Sequence, residues 1–175
     1  QALADFLTIK EEFGGLEGQT LAYIGDGNNV AHSLMICGAL LGVSVRVACP
    51  VGFEPSSSVV KLARQLASED VAIQITNNPL EAVKGANSLY TDVWASMGQE
   101  EETLARQKAF QNFCLDQRML SEANADSIVL HCLPAHRGEE ISAEVMDGCS
   151  SRIFDQAENR LHVQQALLAV LLGGL

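Results

Sequence analysis

At 175 residues, 47% of them hydrophobic, the chain can bury the core of one domain and is short for two. Its 22 acidic and 11 basic side chains leave a net charge of −11 with no basic cluster, which argues against a nonspecific binder of nucleic-acid phosphates. Five cysteines, none in a Cys-x-x-Cys pair, argue against a disulfide framework and a zinc ribbon and for a reducing compartment. The apolar runs are strand-length or amphipathic, and no basic-then-apolar stretch opens the chain, so neither a membrane span nor a signal peptide is expected. A cytoplasmic protein is expected, or a mitochondrial or plastid one from which a transit peptide has been removed.

Five short apolar runs bounded by Gly, Pro, Asn or Asp read as buried strands: residues 21–24, 43–48, 71–75, 88–91 and 127–130. Helical patterns lie between and after them. Residues 29–41 place Val30, Leu34, Cys37 and Leu41 on one face, and 56–67 repeat Val59, Val60, Ala63, Leu66 and Ala67 behind a serine cap. Residues 101–113 form a more polar helix, and 157–172 form one ending at Gly173-Gly174. This alternation predicts one α/β domain, a three-layer αβα, Rossmann-like parallel sheet of about five strands with helices on both faces.

In such a sheet, ligands bind beyond the carboxyl ends of the strands. Three loops leave those ends with chemistry to offer. Gly25-Asp26-Gly27-Asn28-Asn29 follows a strand and opens a helix, as a dinucleotide-binding turn would. However, Val30 stands where the third glycine belongs, and the second strand ends Val47-Ala48-Cys49-Pro50 without an acid for a ribose, which speaks against a nucleotide-binding oxidoreductase. The glycines would allow a tight turn and Asn28 would cap the helix; Asn29 either belongs to that turn alone or also offers its amide to a ligand.

The second loop, Asp92 to Gly98, puts a carboxylate directly after a strand, with the hydroxyl of Ser96 nearby. It reads either as a grip on an ammonium group or as an Asx-turn and helix cap before Glu100-Glu101-Glu102. Trp94 is expected to pack. In the third loop, His131-Cys132-Leu133-Pro134, adjacent residues of an extended chain point to opposite sides. His131 therefore cannot readily serve Cys132 as a base, which disfavours a covalent thiolate mechanism. Cys132 is either a small buried hydrophobe or a lining of the site. Arg160, in Glu158-Asn159-Arg160, carries a planar fork suited to phosphate or carboxylate, or lies on the surface. His32, His136 and His162 show no metal-ligand spacing, and neither metal nor organic cofactor is expected.

Taken together, Gly-Asp-Gly-Asn-Asn at 25 to 29, Asp-x-Trp-x-Ser-Met-Gly at 92 to 98, His-Cys-Leu-Pro at 131 to 134 and Ala-Glu-Asn-Arg at 157 to 160 resemble the ornithine carbamoyltransferase family over essentially the whole chain. Aspartate carbamoyltransferases resemble the fold but carry His-Pro-Gly-Pro at the third motif. The resemblance implies a two-domain subunit, with 1–175 as the ornithine-binding domain and 1–13 as the helix joining it to an absent N-terminal domain that binds carbamoyl phosphate. Asn29, Asp92, Ser96 and the backbone at Met97 would grip the amino-acid end of ornithine. Cys132 would face its side-chain amine, while Leu133 and Arg160, with Gln1 and His131, would serve the carbamoyl phosphate side. Cys132, Asp92 and Arg160 are the expected catalytic set.

The implied reaction is attack by that amine on the carbamoyl carbon, giving citrulline and phosphate. A lysine-like ammonium, with a pKa of about 10, must first lose its proton, which an apolar wall with a thiol would favour. The family also implies a homotrimer or a multiple of one, and no activity from this half alone. Alternatives are a related carbamoyltransferase acting on another amine, or a non-catalytic amino-acid-binding paralogue.

Overall fold

The computed structural model describes residues 1–94 and 103–173. In chain order the elements are α1 (Ala2–Phe13), β1 (Thr20–Ile24), α2 (Asn29–Leu41), β2 (Ser44–Ala48), α3 (Ser57–Leu66), β3 (Ile73–Thr76), α4 (Pro79–Val83), β4 (Ser88–Thr91), α5 (Thr103–Phe110), α6 (Gln117–Glu122), β5 (Ile128–His131), α7 (Ala143–Met146) and α8 (Ile153–Leu171). The strands form one parallel sheet in the order β3-β2-β1-β4-β5. Each expected strand is present, and the sheet is α/β as its alternation with helices implies.

Alternate residues of each strand enter one of two cores, because successive side chains of a strand point to opposite faces. Leu21, Tyr23, Val45, Val47, Tyr90 and Leu130 pack with α1, α2 and α3. On the other face Ala22, Ile24, Leu89 and Val129 pack with α4, α5, α6 and α7. With helices on both faces, the central strand β1 reads as an almost continuous apolar run, whereas Arg46 interrupts β2. The outer edge of β5 is covered too: Val129 exchanges backbone hydrogen bonds with Ser150 and Arg152, which explains why all four residues of this edge strand are buried.

Several boundaries differ from the expected ones. The strand expected at 127–130 is shifted one residue, so His131 ends β5 rather than opening the loop. The last helix begins at Ile153, not 157, which places Arg160 in its second turn, not at its start. The periodicity did not reveal α4, α6 and α7. Each has only four to six residues, too few for an apolar stripe. Side-chain caps from Asn78, Asp116 and Ser142 start them instead.

The strand order reverses at β1, since β2 lies on one side of it and β4 on the other. The carboxyl ends of β1 and β4 therefore flank the switch point at which sheets of this kind bind ligands. β5 flanks β4, so the loops bearing Asn28, Asp92 and Cys132 follow three neighbouring strands.

Candidate active site at the strand ends

The first loop is shaped by a close backbone approach. Gly27 donates its N–H to the Phe53 carbonyl at 2.9 Å, and a Cβ there would lie 2.2 Å from the Pro55 nitrogen. No side chain fits at that position. Gly25, with φ 155, supplies the turn itself. Asn28 then caps α2, its Oδ1 accepting from the Val30 and Ala31 amides at 2.9 and 3.4 Å. That bond fixes the amide orientation and turns Nδ2 toward β4.

Nδ2 of Asn28 donates to Oδ2 of Asp92 at 3.0 Å, while Oδ1 of Asp92 accepts the Val93 N–H at 2.8 Å and the Cys132 thiol at 2.9 Å. Asp92 is 6% exposed and all three of its partners donate, the arrangement a carboxylate requires. Oδ2 takes only one of these bonds, so it retains a lone pair for a further donor. Burial, and then the neighbouring Asp92 charge, push the Cys132 thiol far above its ordinary value. Cys132 is thus a thiol that donates, not a nucleophilic thiolate.

Cys132, Leu133, Pro134, Met146 and Arg160 line an open hollow of about 770 Å³. Arg160 is exposed on α8 and brings a cation to this hollow. His131 is buried on the opposite side of the chain from Cys132 and faces Glu140 at 3.2 Å; its Nδ1 accepts the Leu133 N–H at 2.8 Å. The two neighbours do not serve each other, as the alternation of an extended chain requires.

The structure thus brings Asp92 and Cys132 into contact, and Cys132, Leu133 and Arg160 around one hollow. Asn29 is exposed beside Asn28, and the amide that reaches Asp92 is that of Asn28. Gln1 precedes α1, where its Nε2 donates to Asp5 at 2.7 Å. Ser96 and Met97 lie outside the described residues. Trp94 packs as expected, stacked on Phe110 with ring centres 5.9 Å apart.

Two features escaped the sequence patterns. Arg106 donates to Asp26 at 2.6 Å and to the Trp94 carbonyl at 3.0 Å, pinning α5 against the first loop and the end of the β4 segment. Eighty positions separate this ion pair in the chain, so no local pattern signals it. His136, Glu139 and Glu140 bring potential ligand atoms within 4.8 Å of one another, a grouping in the turn between β5 and α7 outside the expected motifs. Glu140 is already engaged there by His131. Among the described residues no helix is long and apolar enough to cross a membrane.

Comparison with known proteins gives the family. The family model described as the aspartate/ornithine carbamoyltransferase Asp/Orn binding domain matches residues 17–171. The chain is 66% identical over its full 175 residues to an ornithine carbamoyltransferase of Prochlorococcus marinus (strain MIT 9313), covering 55% of that protein. Among solved structures, the ornithine carbamoyltransferase from Pyrococcus furiosus superposes with a TM-score of 0.94 at 50% identity, over 99% of this chain and 56% of that one. The enzyme from Gloeobacter violaceus gives 0.89 at 51% identity, over 96% and 56%. The chain spans about half the length of these relatives. With a matching family model over most of its length, the chain belongs to the aspartate/ornithine carbamoyltransferase family, as its Asp/Orn-binding domain.

Proposed function

We propose that this chain is the ornithine-binding half of an ornithine carbamoyltransferase, which transfers the carbamoyl group of carbamoyl phosphate to the side-chain amine of ornithine, giving citrulline and phosphate. The observation that carries the reading is Asp92, a buried carboxylate held by Asn28 and Cys132 at the reversal of the strand order, with an acceptor position unused. Its free lone pair suits the α-ammonium of an amino acid. Asn29 at the rim, with Ser96 and the Met97 backbone, would take the α-carboxylate.

The remainder of ornithine would then run toward Cys132 and the hollow that holds Leu133 and Arg160. The terminal amine attacks only when neutral. Next to a thiol and the apolar Leu133 it would meet little water once the carbamoyl phosphate domain covers the open hollow, which disfavours the ammonium form. Arg160, with Leu133, suits the carbamoyl group of the second substrate, and Gln1 and His131 belong to the same side in this reading. Holding amine and carbamoyl carbon in line is the larger contribution to rate.

In the full-length protein the reading places the activity in arginine biosynthesis, in a cytoplasmic homotrimer, with the carbamoyl phosphate domain preceding α1. Calorimetry with ornithine tests the site. A polypeptide of the relatives' full length containing this chain should bind ornithine once carbamoyl phosphate is present and release citrulline. Equal turnover of another amine in place of ornithine would reassign the substrate, and binding without turnover would make the chain a non-catalytic paralogue.

A further inference from the structure

Glu140 belongs to none of the motifs at the strand ends, yet its contacts lead to them. Its side chain is fully buried. Oε1 faces Nε2 of His131 at 3.2 Å and also accepts the backbone N–H of His136. Burial by itself would raise the pKa of this carboxyl group, but the bonds from His131 and from the His136 backbone outweigh it and hold the pKa below the ordinary value. Glu140 is therefore an acceptor toward the ring.

The other side of that ring determines where its proton sits. Leu133 donates its N–H to Nδ1 at 2.8 Å. A ring nitrogen that accepts carries no hydrogen, so the proton lies on Nε2 and points at Glu140. With a proton on Nδ1, as in the other tautomer or the imidazolium, two N–H groups would oppose each other across 2.8 Å. Leu133 itself has φ 59, the only positive φ of a non-glycine residue among those described. Left-handed backbone is unfavourable for an ordinary side chain, so the turn needs a bond that holds it. The Leu133–His131 bond is placed to do so, and the same turn directs Cys132 toward Asp92.

We propose that Glu140 is a positioning residue: by holding the Nε2 proton of His131 it leaves Nδ1 to accept the Leu133 amide, and so fixes the turn that presents Cys132 and Leu133 to the hollow shared with Arg160. Its kinetic consequence rests on the functional reading above; the proton placement does not. The linkage runs from one buried carboxylate through one ring to one backbone amide, and Glu140 need not touch either substrate.

The test uses a polypeptide of the relatives' full length containing this chain, labelled with 15N-histidine, the His131 ring being assigned by its loss in His131→Gln. The wild-type ring should be in the Nε2–H form. Glu140→Gln should keep that form, because the amide oxygen accepts the same proton, and should keep kcat within about threefold. Glu140→Ala should lose the fixed form and lower kcat by about tenfold or more, with the KM for ornithine changing by no more than about twofold. A wild-type ring protonated on Nδ1 would overturn the proposal, and so would Glu140→Ala with both the Nε2–H form and wild-type kcat retained. Should Glu140→Ala fail to fold, Glu140→Gln decides: a switch to Nδ1–H, or a tenfold loss of kcat with the ring unchanged, overturns it. A wild-type polypeptide that makes no citrulline would sink the functional reading; the Nε2–H form in that same sample would still uphold the linkage from Glu140 to Leu133.

Discussion

Two clusters of acid and amide side chains sit at different places in this fold, built from nearly the same parts. At the strand ends, Asp92 receives the Asn28 amide, the Val93 N–H and the Cys132 thiol, spread over both of its oxygens. Between α1, α8 and β5, Asp5 receives the amides of Gln1 and Gln156 on one oxygen, while its other oxygen is buried without a hydrogen bond. Gln156 in turn accepts the His131 N–H at 2.9 Å, and Asn159 donates to Thr8 and Glu11, so this second cluster ties two helices to the last strand. Burial raises the pKa of Asp5 to about 6 even though the two amides oppose it. The lesson is that side-chain chemistry does not distinguish a site from a structural tie. Asp92 stands at the carboxyl end of β4, beside the reversal of the strand order, whereas Asp5 is sealed between helices.

This contrast can be broken at four points. The largest effect is expected from Gly27→Ala. A Cβ 2.2 Å from the Pro55 nitrogen meets backbone that cannot move aside, and chemical denaturation should show a loss of about 3 kcal/mol. A variant as stable as wild type would mean that the first loop is not held by this approach. Next, Asp92→Asn keeps the shape but removes the charge and the acceptor on one side. Ornithine affinity should fall by about tenfold to a hundredfold, the worth of a charge-assisted bond, in a calorimetric titration of the full-length polypeptide. An unchanged titration would remove Asp92 from the binding site.

Cys132→Ala should act on turnover more than on binding, lowering kcat by about tenfold while leaving the denaturation midpoint nearly unchanged. Wild-type kcat in this variant would make Cys132 a core residue only. The smallest effect belongs to Asp5, and its sign is opposite to that of most carboxylates. Its pKa is raised on folding from 3.8 to about 6, so the folded state holds the proton more tightly than the unfolded one. That contribution to stability is full below pH 3.8 and is lost as pH rises through about 6. From pH 7 to 5 the wild type should therefore gain about 1 kcal/mol relative to Asp5→Asn, measured as the difference between their urea midpoints. An identical pH dependence for the two proteins would show that Asp5 does not titrate in this range.

The sheet was legible in the sequence because its strands appear as short, mostly apolar runs between turn residues. The bounds of the Asn29–Leu41 helix were equally legible, since Asn28 caps it and Gly42 ends it, but the expected stripe was not the buried one: Ala31, Leu34, Met35, Gly38 and Ala39 are buried, and Leu41 is exposed. Asp92 could be singled out because it follows a strand directly, and Cys132 because it lies in a loop just past one; that Cys132 follows β5 directly came from the structure. Local sequence could not say that the Asn28 amide, rather than that of Asn29, would reach Asp92. That choice depends on which side chain caps α2 and which neighbour lies across the sheet.

By itself, then, the sequence determined the alternation of elements, the family resemblance carried by four short motifs, and the loops where chemistry would gather. Those are properties of contiguous residues, set by periodicity, capping and turn chemistry. Only the tertiary structure decided the pairings: Asp26 with Arg106, Asp5 with Gln156, Asn28 with Asp92, Asp92 with Cys132, and Glu140 with His131. Most of these partners are tens of residues apart, and even the nearest pair, His131 and Glu140, meets only because the chain turns back after Leu133. A buried polar group must find a partner, but which one it finds is fixed by strand order and helix docking.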